Sequence, residues 1–130
     1  MRTTMAAVIS LGDTDAAGVL FYARLFDFAQ RAFEHHCLVR GFPITRFWTD
    51  GVLAPVVHVE ADYRAPLRLG DVIAIESCVE GIGDSSIRMA YLIRNDAEVL
   101  AAEALVVHAC ISREGKSISV PAPLRLALGG

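Results

Sequence analysis

The clearest helical pattern along the chain lies between residues 25 and 40. Apolar side chains recur there at spacings of three and four residues, and three of them are phenylalanine. Because the apolar arc is wide, we expect a mostly buried helix rather than one lying on a surface. Gly41 and Pro43 follow and predict where this helix ends.

Strand patterns occupy most of the remaining chain. A segment before the helix is compatible with a strand that stops at Gly12-Asp13, and a short helical turn is expected over residues 44–50. Further on, segments rich in Val and Ile are separated by turn signals. The predicted strands span residues 3–11, 55–63, 71–80, 86–94, 99–111 and 117–120, and we expect Pro121 and Pro123 to end the regular structure.

The order of these elements predicts the fold class. One strand, one long buried helix and then four or five strands follow each other along the chain. The short connections favour antiparallel hairpins, because a parallel crossover needs about a dozen residues or more. A sheet with one long helix packed on one face is an α+β architecture. No repeat or low-complexity tract divides the chain, so we expect a single domain over residues 1–130.

The composition raises the question of where so many apolar side chains lie, and it excludes several classes of protein. Of the 130 residues, 54% are hydrophobic, and the mean hydropathy of +0.44 is high for a small soluble monomer. No apolar stretch reaches the roughly 18 residues of a membrane-spanning helix, so we expect no membrane association. The net charge of −3 and the scattered basic residues are unlike the clustered positive surface of a nucleic-acid-binding protein.

The cysteines and histidines indicate the cellular compartment of the protein and whether it binds a metal. The three cysteines are odd in number and lack C-x-x-C spacing, which is typical of buried thiols in a reduced compartment, so we expect a cytoplasmic protein. The four histidines show no metal-ligand spacing, and we therefore expect no metal site.

The densest group of chemically active residues is Gly12 to Gly18, between the first strand and the helix. A calcium loop is excluded, because Arg24 stands where a bidentate Glu is required. A phosphotransfer D-x-D motif is excluded by Ala17 at its fifth position and by the short chain. Two interpretations stay open: Asp15 is a general base or nucleophile beside a helix N terminus that stabilises an oxyanion, or the aspartates only cap a turn.

Two motifs together resemble one family. Residues 13–22, Asp-Thr-Asp-Ala-Ala-Gly-Val-Leu-Phe-Tyr, precede the long helix and resemble the D-x-D-x-x-G signature of hotdog-fold thioesterases of the 4-hydroxybenzoyl-CoA thioesterase type. Residues 62–71, Asp-Tyr-Arg-Ala-Pro-Leu-Arg-Leu-Gly-Asp, resemble that family's second block, D-Y-x-x-P-x-R-x-x-D. The resemblance covers nearly the whole chain.

This resemblance implies a fold, an activity and a site. The implied hotdog fold is a curved antiparallel sheet of five or six strands wrapped around one long central helix. The implied activity is hydrolysis of acyl-CoA to acid and CoA without a metal or other cofactor, in a homodimer or homotetramer whose active sites lie between subunits. The family's catalytic carboxylate falls on Asp15, its motif glycine on Gly18, and the backbone N–H that polarises the thioester carbonyl on Tyr22.

Four further residues are candidates for substrate binding. Arg64, Arg68 and Arg88 are plausible partners for CoA phosphates, because phosphate sites favour arginine. Glu60 points either into a pocket or outward. Strand alternation places it on one face with His58 and Asp62, which favours solvent.

The same motifs do not decide which acyl group the substrate carries. They also leave two other classes of protein to consider. Many relatives carry a histidine after the motif's aromatic residue, but Ala23 follows Tyr22 here, so a mechanism using that histidine is excluded. The acyl group is either aliphatic or aromatic, as in 1,4-dihydroxy-2-naphthoyl-CoA or 4-hydroxybenzoyl-CoA. A non-hydrolytic acyl-thioester-binding module is disfavoured by the presence of Asp13 and Asp15, and a hotdog dehydratase by the absence of a D-x-x-H motif.

Overall fold

The computed structural model of the chain describes residues 2–129, which form seven strands and three α-helices. The strands are β1 (Arg2–Val8), β2 (Val52–Leu53), β3 (Val56–Tyr63), β4 (Val72–Ile82), β5 (Ser86–Asn95), β6 (Leu100–Ala109) and β7 (Ile111–Ser112). The helices are α1 (Arg24–Val39), α2 (Ile44–Thr49) and α3 (Ala122–Gly129).

Five of the strands form one antiparallel sheet in the order β1-β4-β5-β6-β3, and β2 pairs with β7 beside it. Across the sheet, Ser77 lies opposite Tyr91, and Tyr91 lies opposite Ala104. These residues are buried, and their neighbours along each strand alternate to the other face. The predicted α+β class and antiparallel sheet are confirmed.

Helix α1 lies against β1 and β4 and contributes buried side chains to the core. Leu25 and Phe28 are completely buried, and burial of such a side chain stabilises the fold by about 1.5–3 kcal/mol. The N-cap position is Ala23, which has no side-chain oxygen to cap the helix. A cap contributes only about 1 kcal/mol, so packing outweighs its absence. The N–H groups of Arg24, Leu25 and Phe26 instead donate to the carbonyls of Phe21, Tyr22 and Ala23.

The predicted end of α1 is confirmed. Gly41 adopts a φ of +83°, a left-handed conformation that favours glycine. Its N–H donates to the Leu38 carbonyl at 3.1 Å, and the N–H of Phe42 donates to the Cys37 carbonyl at 2.9 Å. This pair of bonds is a Schellman motif, which satisfies carbonyls that a helix end otherwise leaves free.

The predicted first strand is too long at its C-terminal end. Strand β1 stops at Val8, and residues Leu11–Asp13 form a 3₁₀ turn. The physical reason is a local one: Ser10 binds the carboxylate of Asp13 and so closes the turn.

Two expectations at the C-terminal end are wrong. Residues 117–120 form no strand, since only Ser117 makes a bridge, to Ile111. Regular structure does not end at the prolines, because α3 begins at Ala122 between them. Proline is tolerated in the first helical turn, where its missing N–H has no intrahelical acceptor. Burial of Leu124 and Leu128 then holds α3 on the core.

Strand β3 is an edge of the sheet and is largely uncovered. It pairs with β6 on one side only. Val59 and Tyr63 face the same side as the buried Ala104, yet their exposed fractions are 44% and 48%. The inner face of the sheet is therefore covered by α1 near β1 and β4 and open near β3.

Candidate active site

Asp13 is engaged in holding the loop between β1 and α1. The backbone N–H and the hydroxyl of Ser10 both donate to one carboxylate oxygen of Asp13, at 2.9 and 2.8 Å. These bonds, the backbone one foremost, hold the pKa of the Asp13 carboxyl below its ordinary value. The Asp13 carbonyl in turn accepts a bond from the Phe21 N–H at 2.8 Å. Asp13 therefore joins the start of the loop to the residues that lead into α1.

Asp15 lies at the exposed tip of this loop. One of its carboxylate oxygens accepts the Ala17 N–H at 2.8 Å, which is an Asx turn. Its backbone N–H donates to the Val19 carbonyl and its carbonyl accepts the Gly18 N–H, both at 3.0 Å. Within residues 2–129, the second carboxylate oxygen has no hydrogen-bond partner. The turn thus orients the carboxylate and leaves one oxygen available for a ligand.

Gly18 allows the loop to close. Its φ of +75° is strained for any residue with a side chain, and a Cβ atom added there would meet no atom within 4 Å. The requirement for glycine is conformational, and the space in front of its backbone is open. Thr14 and Leu20 form a bridge across the loop, so both ends of the Asp15 turn are fixed.

The start of α1 presents two backbone donors. In the part of the chain that the structure describes, the N–H groups of Tyr22 and Ala23 have no acceptor. The hydroxyl of Tyr63 donates to the Tyr22 carbonyl, which belongs to the same peptide unit as the Ala23 N–H. Partial burial, together with Tyr22, raises the pKa of the Tyr63 phenol, so the hydroxyl keeps the proton for this bond. A free donor pair at a helix N terminus is suited to stabilise negative charge.

Arg64 and Arg68 lie beside the loop. Arg68 forms a bridge with Val19, and the Leu69 N–H donates to the Gly18 carbonyl at 3.1 Å. Arg64 is paired with Glu103 at 3.0 Å. Among the described residues, the guanidinium of Arg68 makes no ion pair. Of these two arginines, Arg68 is the one free to meet an anion.

Glu60 and Arg88 are not brought to this loop. Both line a groove on the face of the sheet opposite α1, because their strand neighbours Ala61, Met89 and Tyr91 face the core. Glu60 lies 2.8 Å from His58, and Arg88 lies 3.5 Å from Glu80. The expectation that Glu60 points outward from its strand agrees with its exposure.

Three cavities follow α1 from the loop into the protein. One of 470 Å³ lies at the loop and is lined by Gly12, Thr14, Phe21, Ala23, Arg24 and Asp27. A second, of 460 Å³, also contacts Asp27 and runs between α1 and the open face of β3. A third, of 210 Å³, lies beyond it near α2 and β2. Phe26 lines the second cavity, and Phe33 and Phe47 line the third.

Tyr63 and His108 have positions at this site that the motifs did not indicate. Tyr63 stands in the second motif, but its bond to Tyr22 joins residues 41 positions apart. Strand alternation was the available signal, because it places Tyr63 on the face opposite Glu60 and Asp62. His108 lies in no sequence motif, and only its contacts in the folded protein show that it lines the cavities.

No three His, Cys, Asp or Glu side chains within residues 2–129 come together as a metal-binding group. Over the same range, no helix is long and apolar enough to cross a membrane.

The fold and the loop define a class of protein. The chain belongs to the Thioesterase-like superfamily, whose family model matches residues 9–128. The predicted resemblance to hotdog thioesterases is thereby confirmed.

Individual relatives agree with this assignment. The chain is 34% identical over 121 residues to a 1,4-dihydroxy-2-naphthoyl-CoA hydrolase from Synechococcus elongatus, with 92% of this chain and 88% of the relative covered. It is also similar in structure to a 1,4-dihydroxy-2-naphthoyl-CoA thioesterase from Synechocystis, with a TM-score of 0.91, 24% identity and coverage of 99% and 96%. A mutant 4-hydroxybenzoyl CoA thioesterase complexed with 4-hydroxybenzoyl CoA gives a TM-score of 0.89, 20% identity and 98% coverage of both chains. The two structural likenesses show a shared fold.

Proposed function

We propose that this protein hydrolyses acyl-CoA thioesters to the free acid and CoA. The observation that carries the proposal is the exposed carboxylate of Asp15, held by the Ala17 N–H in a loop that leads directly into the uncapped start of α1. The relative from Synechococcus elongatus, 34% identical, is named as a hydrolase of this kind. A carboxylate on a loop that ends at free N–H donors supplies two groups that acyl transfer from a thioester uses.

Asp15 either takes a proton from water as that water attacks the thioester carbon, or attacks the carbon itself to form an anhydride that water then opens. In both routes the carbon–sulfur bond breaks, the thiolate leaves and is protonated, and water supplies the new carboxyl oxygen. The N–H groups of Tyr22 and Ala23 stabilise the oxyanion that develops on the carbonyl oxygen. One such donor typically contributes about 100- to 1,000-fold in rate.

The acyl group of the substrate is aromatic in this proposal. Phenylalanine and tryptophan line the cavities along α1, among them Phe26, Phe33 and Trp48. The name of the relative from Synechococcus elongatus, 1,4-dihydroxy-2-naphthoyl-CoA hydrolase, supports an acyl group of the same class.

CoA lies at the outer end of the site. Arg68 has a free guanidinium beside the Asp15 loop and is the proposed partner of a CoA phosphate. Arg64 is also next to the loop but is shared with Glu103. Arginine suits this role because its planar group donates two bonds to one phosphate.

The chain is proposed to act as one domain in a homodimer, or in a homotetramer built from such dimers. In this arrangement the sheet curves around α1, and the β3 edges of two copies pair with each other. Exposed fractions of 62% for Val57 and 44% for Val59 support this, because an exposed apolar edge strand is a template for another strand. The second copy then covers the open cavity between β3 and α1.

A thiol-release assay of the purified protein tests the proposed class. Aliphatic and aromatic acyl-CoA substrates are supplied, and free CoA is measured with a chromogenic thiol reagent. We expect release of CoA with aromatic substrates at rates well above those without protein. Tight binding of acyl-CoA with no release from any substrate would show a non-hydrolytic binding module instead.

A further inference from the structure

His108 stands where the two inner cavities meet. The 460 Å³ cavity and the 210 Å³ cavity share Gln30 and His108 in their walls. Apart from these two residues and Asp27, the walls are apolar or aromatic. A mainly apolar pocket with a few placed polar groups is the usual form of a small-molecule site. The polar groups in such a site decide which ligand atoms are accepted.

The imidazole of His108 is held in one orientation by two contacts. Its Nδ1 lies 2.8 Å from the carbonyl oxygen of Ala54, and its ring stacks on Phe33 with centroids 4.4 Å apart and an interplanar angle of 18°. A carbonyl only accepts hydrogen bonds, so Nδ1 carries the proton. Burial lowers the pKa of His108 and favours the neutral ring.

This tautomer leaves Nε2 with a lone pair. Nowhere in residues 2–129 does Nε2 of His108 have a hydrogen-bond partner. His108 is only 2% exposed as a residue, but Nε2 is not among the fully buried unpartnered atoms of the described residues, so a ligand in the cavity can reach the lone pair. An unpaired acceptor in an apolar cavity is costly, and a ligand that donates a hydrogen bond to it is preferred over one that does not.

His108 lies at the far end of the cavity from the proposed reaction. Phe26 lies near the start of α1, and Phe33, which stacks on His108, lies about 10 Å further along the helix axis. Asp27 lines both the loop cavity and the 460 Å³ cavity, so the two cavities adjoin at this residue of α1. A thioester at the N–H groups of Tyr22 and Ala23 would place its acyl group toward His108.

We propose that His108 determines substrate specificity, by accepting at Nε2 a hydrogen bond from a ring hydroxyl on the part of the aromatic acyl group remote from the thioester. This inference rests on the proposed thioesterase function. It adds to that function the position of the hydroxyl and the residue that recognises it. Gln30, in the walls of both cavities, offers an amide to the same hydroxyl.

A set of four substrates tests the position of the hydroxyl. Benzoyl-CoA and its 2-, 3- and 4-hydroxy derivatives are compared by kcat/KM in the wild-type protein. We expect the better of the 3- and 4-hydroxy substrates to exceed benzoyl-CoA by about tenfold or more, because the unsubstituted ring leaves Nε2 without a hydrogen-bond donor. The 2-hydroxy substrate, with its hydroxyl beside the thioester, should show no such gain. Equal values for all four would overturn the role of His108 and leave the thioesterase function standing, whereas no hydrolysis of any would overturn both.

A pair of His→Asn variants assigns the effect to His108. In H108N the amide nitrogen takes the place of Nδ1 and still donates to Ala54, while the acceptor at Nε2 is lost. We expect the preference for the hydroxylated ring to fall about tenfold or more. The matched control is H35N, because His35 lines neither cavity and its loss should leave the preference unchanged. An unchanged preference in H108N would contradict the proposal.

A measurement on the intact ring covers the case in which H108N does not fold. Histidine is labelled with ¹⁵N, the His108 signal is assigned with H108Q or by exclusion of the other histidines, and two non-hydrolysable thioethers are added, 4-hydroxyphenacyl-CoA and phenacyl-CoA. We expect the Nε2 resonance of His108 to move upfield, as a nitrogen does on accepting a hydrogen bond, with the hydroxylated analogue only. The same shift with both analogues, or with neither when both bind, would overturn the proposal.

Discussion

Asp13 and Asp15 are two residues apart and have different surroundings. Asp13 accepts two hydrogen bonds from Ser10 on one carboxylate oxygen and holds the loop together, whereas Asp15 accepts a single bond, from the Ala17 N–H at the loop tip. The motif predicted that a carboxylate site lies here, because the two residues and Gly18 are local in sequence. It did not distinguish a turn-capping aspartate from a reactive one on spacing alone. That distinction depends on Ser10, whose contact with Asp13 is a property of the folded turn.

The arginines predicted to bind phosphate also differ in their surroundings, since Arg64 is paired with Glu103 and Arg68 is not. Arg68→Gln should raise the KM for an acyl-CoA about threefold to tenfold with little change in kcat, because the lost ion pair to phosphate is exposed. Steady-state kinetics with the acyl-CoA and with the corresponding acyl-pantetheine, which lacks the nucleotide, measures this. The truncated substrate should not distinguish the variant from wild type. If Arg88→Gln raises the KM instead, the phosphates lie on the other face of the sheet.

The elements of the fold differ in how far the chain's pattern predicts them. Helix α1 combines a wide apolar arc with Gly41, and both signals are local, so its end was predicted. The sequence pattern did not predict helix α3, because Pro121 and Pro123 usually interrupt a helix. Burial of Leu124 and Leu128 decides its formation. Tertiary contacts of this kind carry no local signal in a sequence.

One polar contact joins α1 to β1 inside the core. The Thr3 hydroxyl and the Nδ1 of His36 lie 2.7 Å apart, His36 is fully buried, and its Nε2 has no partner among the described residues. Burial foremost, with Arg40 nearby, lowers the pKa of His36 below its ordinary value. The folded protein therefore holds this ring neutral at pH values where the unfolded chain already binds a proton.

This difference predicts an acid-sensitive contact between the two elements. Stability from neutral His36 is fully present above about pH 6.5, the ordinary pKa of the unfolded chain, and is lost as the pH falls below it, by at most about 1.4 kcal/mol per pH unit. His36→Asn, whose amide still reaches Thr3, should lose less unfolding free energy than wild type between pH 7.5 and 5. Urea denaturation at both pH values measures this. Parallel losses in the two proteins would show that His36 does not contribute.

At the scale of the whole molecule, the apolar excess of the sequence has a visible location. Besides the core, apolar side chains are exposed on β3, where Val57, Val59 and Tyr63 range from 44% to 62% exposed. Composition predicted that a surplus exists, with a mean hydropathy of +0.44. It did not predict where, because the edge position of β3 follows from the strand order β1-β4-β5-β6-β3. Strand order depends on contacts between segments far apart in the chain.

The exposed edge predicts a dimer that one substitution disrupts. Val57→Lys places a charge on the edge of β3, where it opposes strand pairing between copies. We expect wild type to be at least a dimer by light scattering after size exclusion, and the variant to be monomeric with reduced thiol release. Val99→Lys, at a similarly exposed valine in the turn after β5, is the matched control and should leave the mass unchanged. A monomeric wild type would contradict this assembly.

In the proposed mechanism Asp15 performs the chemistry at the start of α1, and substitution of this residue is the decisive experiment. Asp15→Asn removes the charge while its side-chain oxygen still accepts the Ala17 N–H. Single-turnover thiol release from an aromatic acyl-CoA should slow by about 100-fold or more. Asp96→Asn, an equal change in the exposed turn between β5 and β6, should retain the wild-type rate. Wild-type release by a folded Asp15→Asn protein would rule out Asp15 as the catalytic carboxylate.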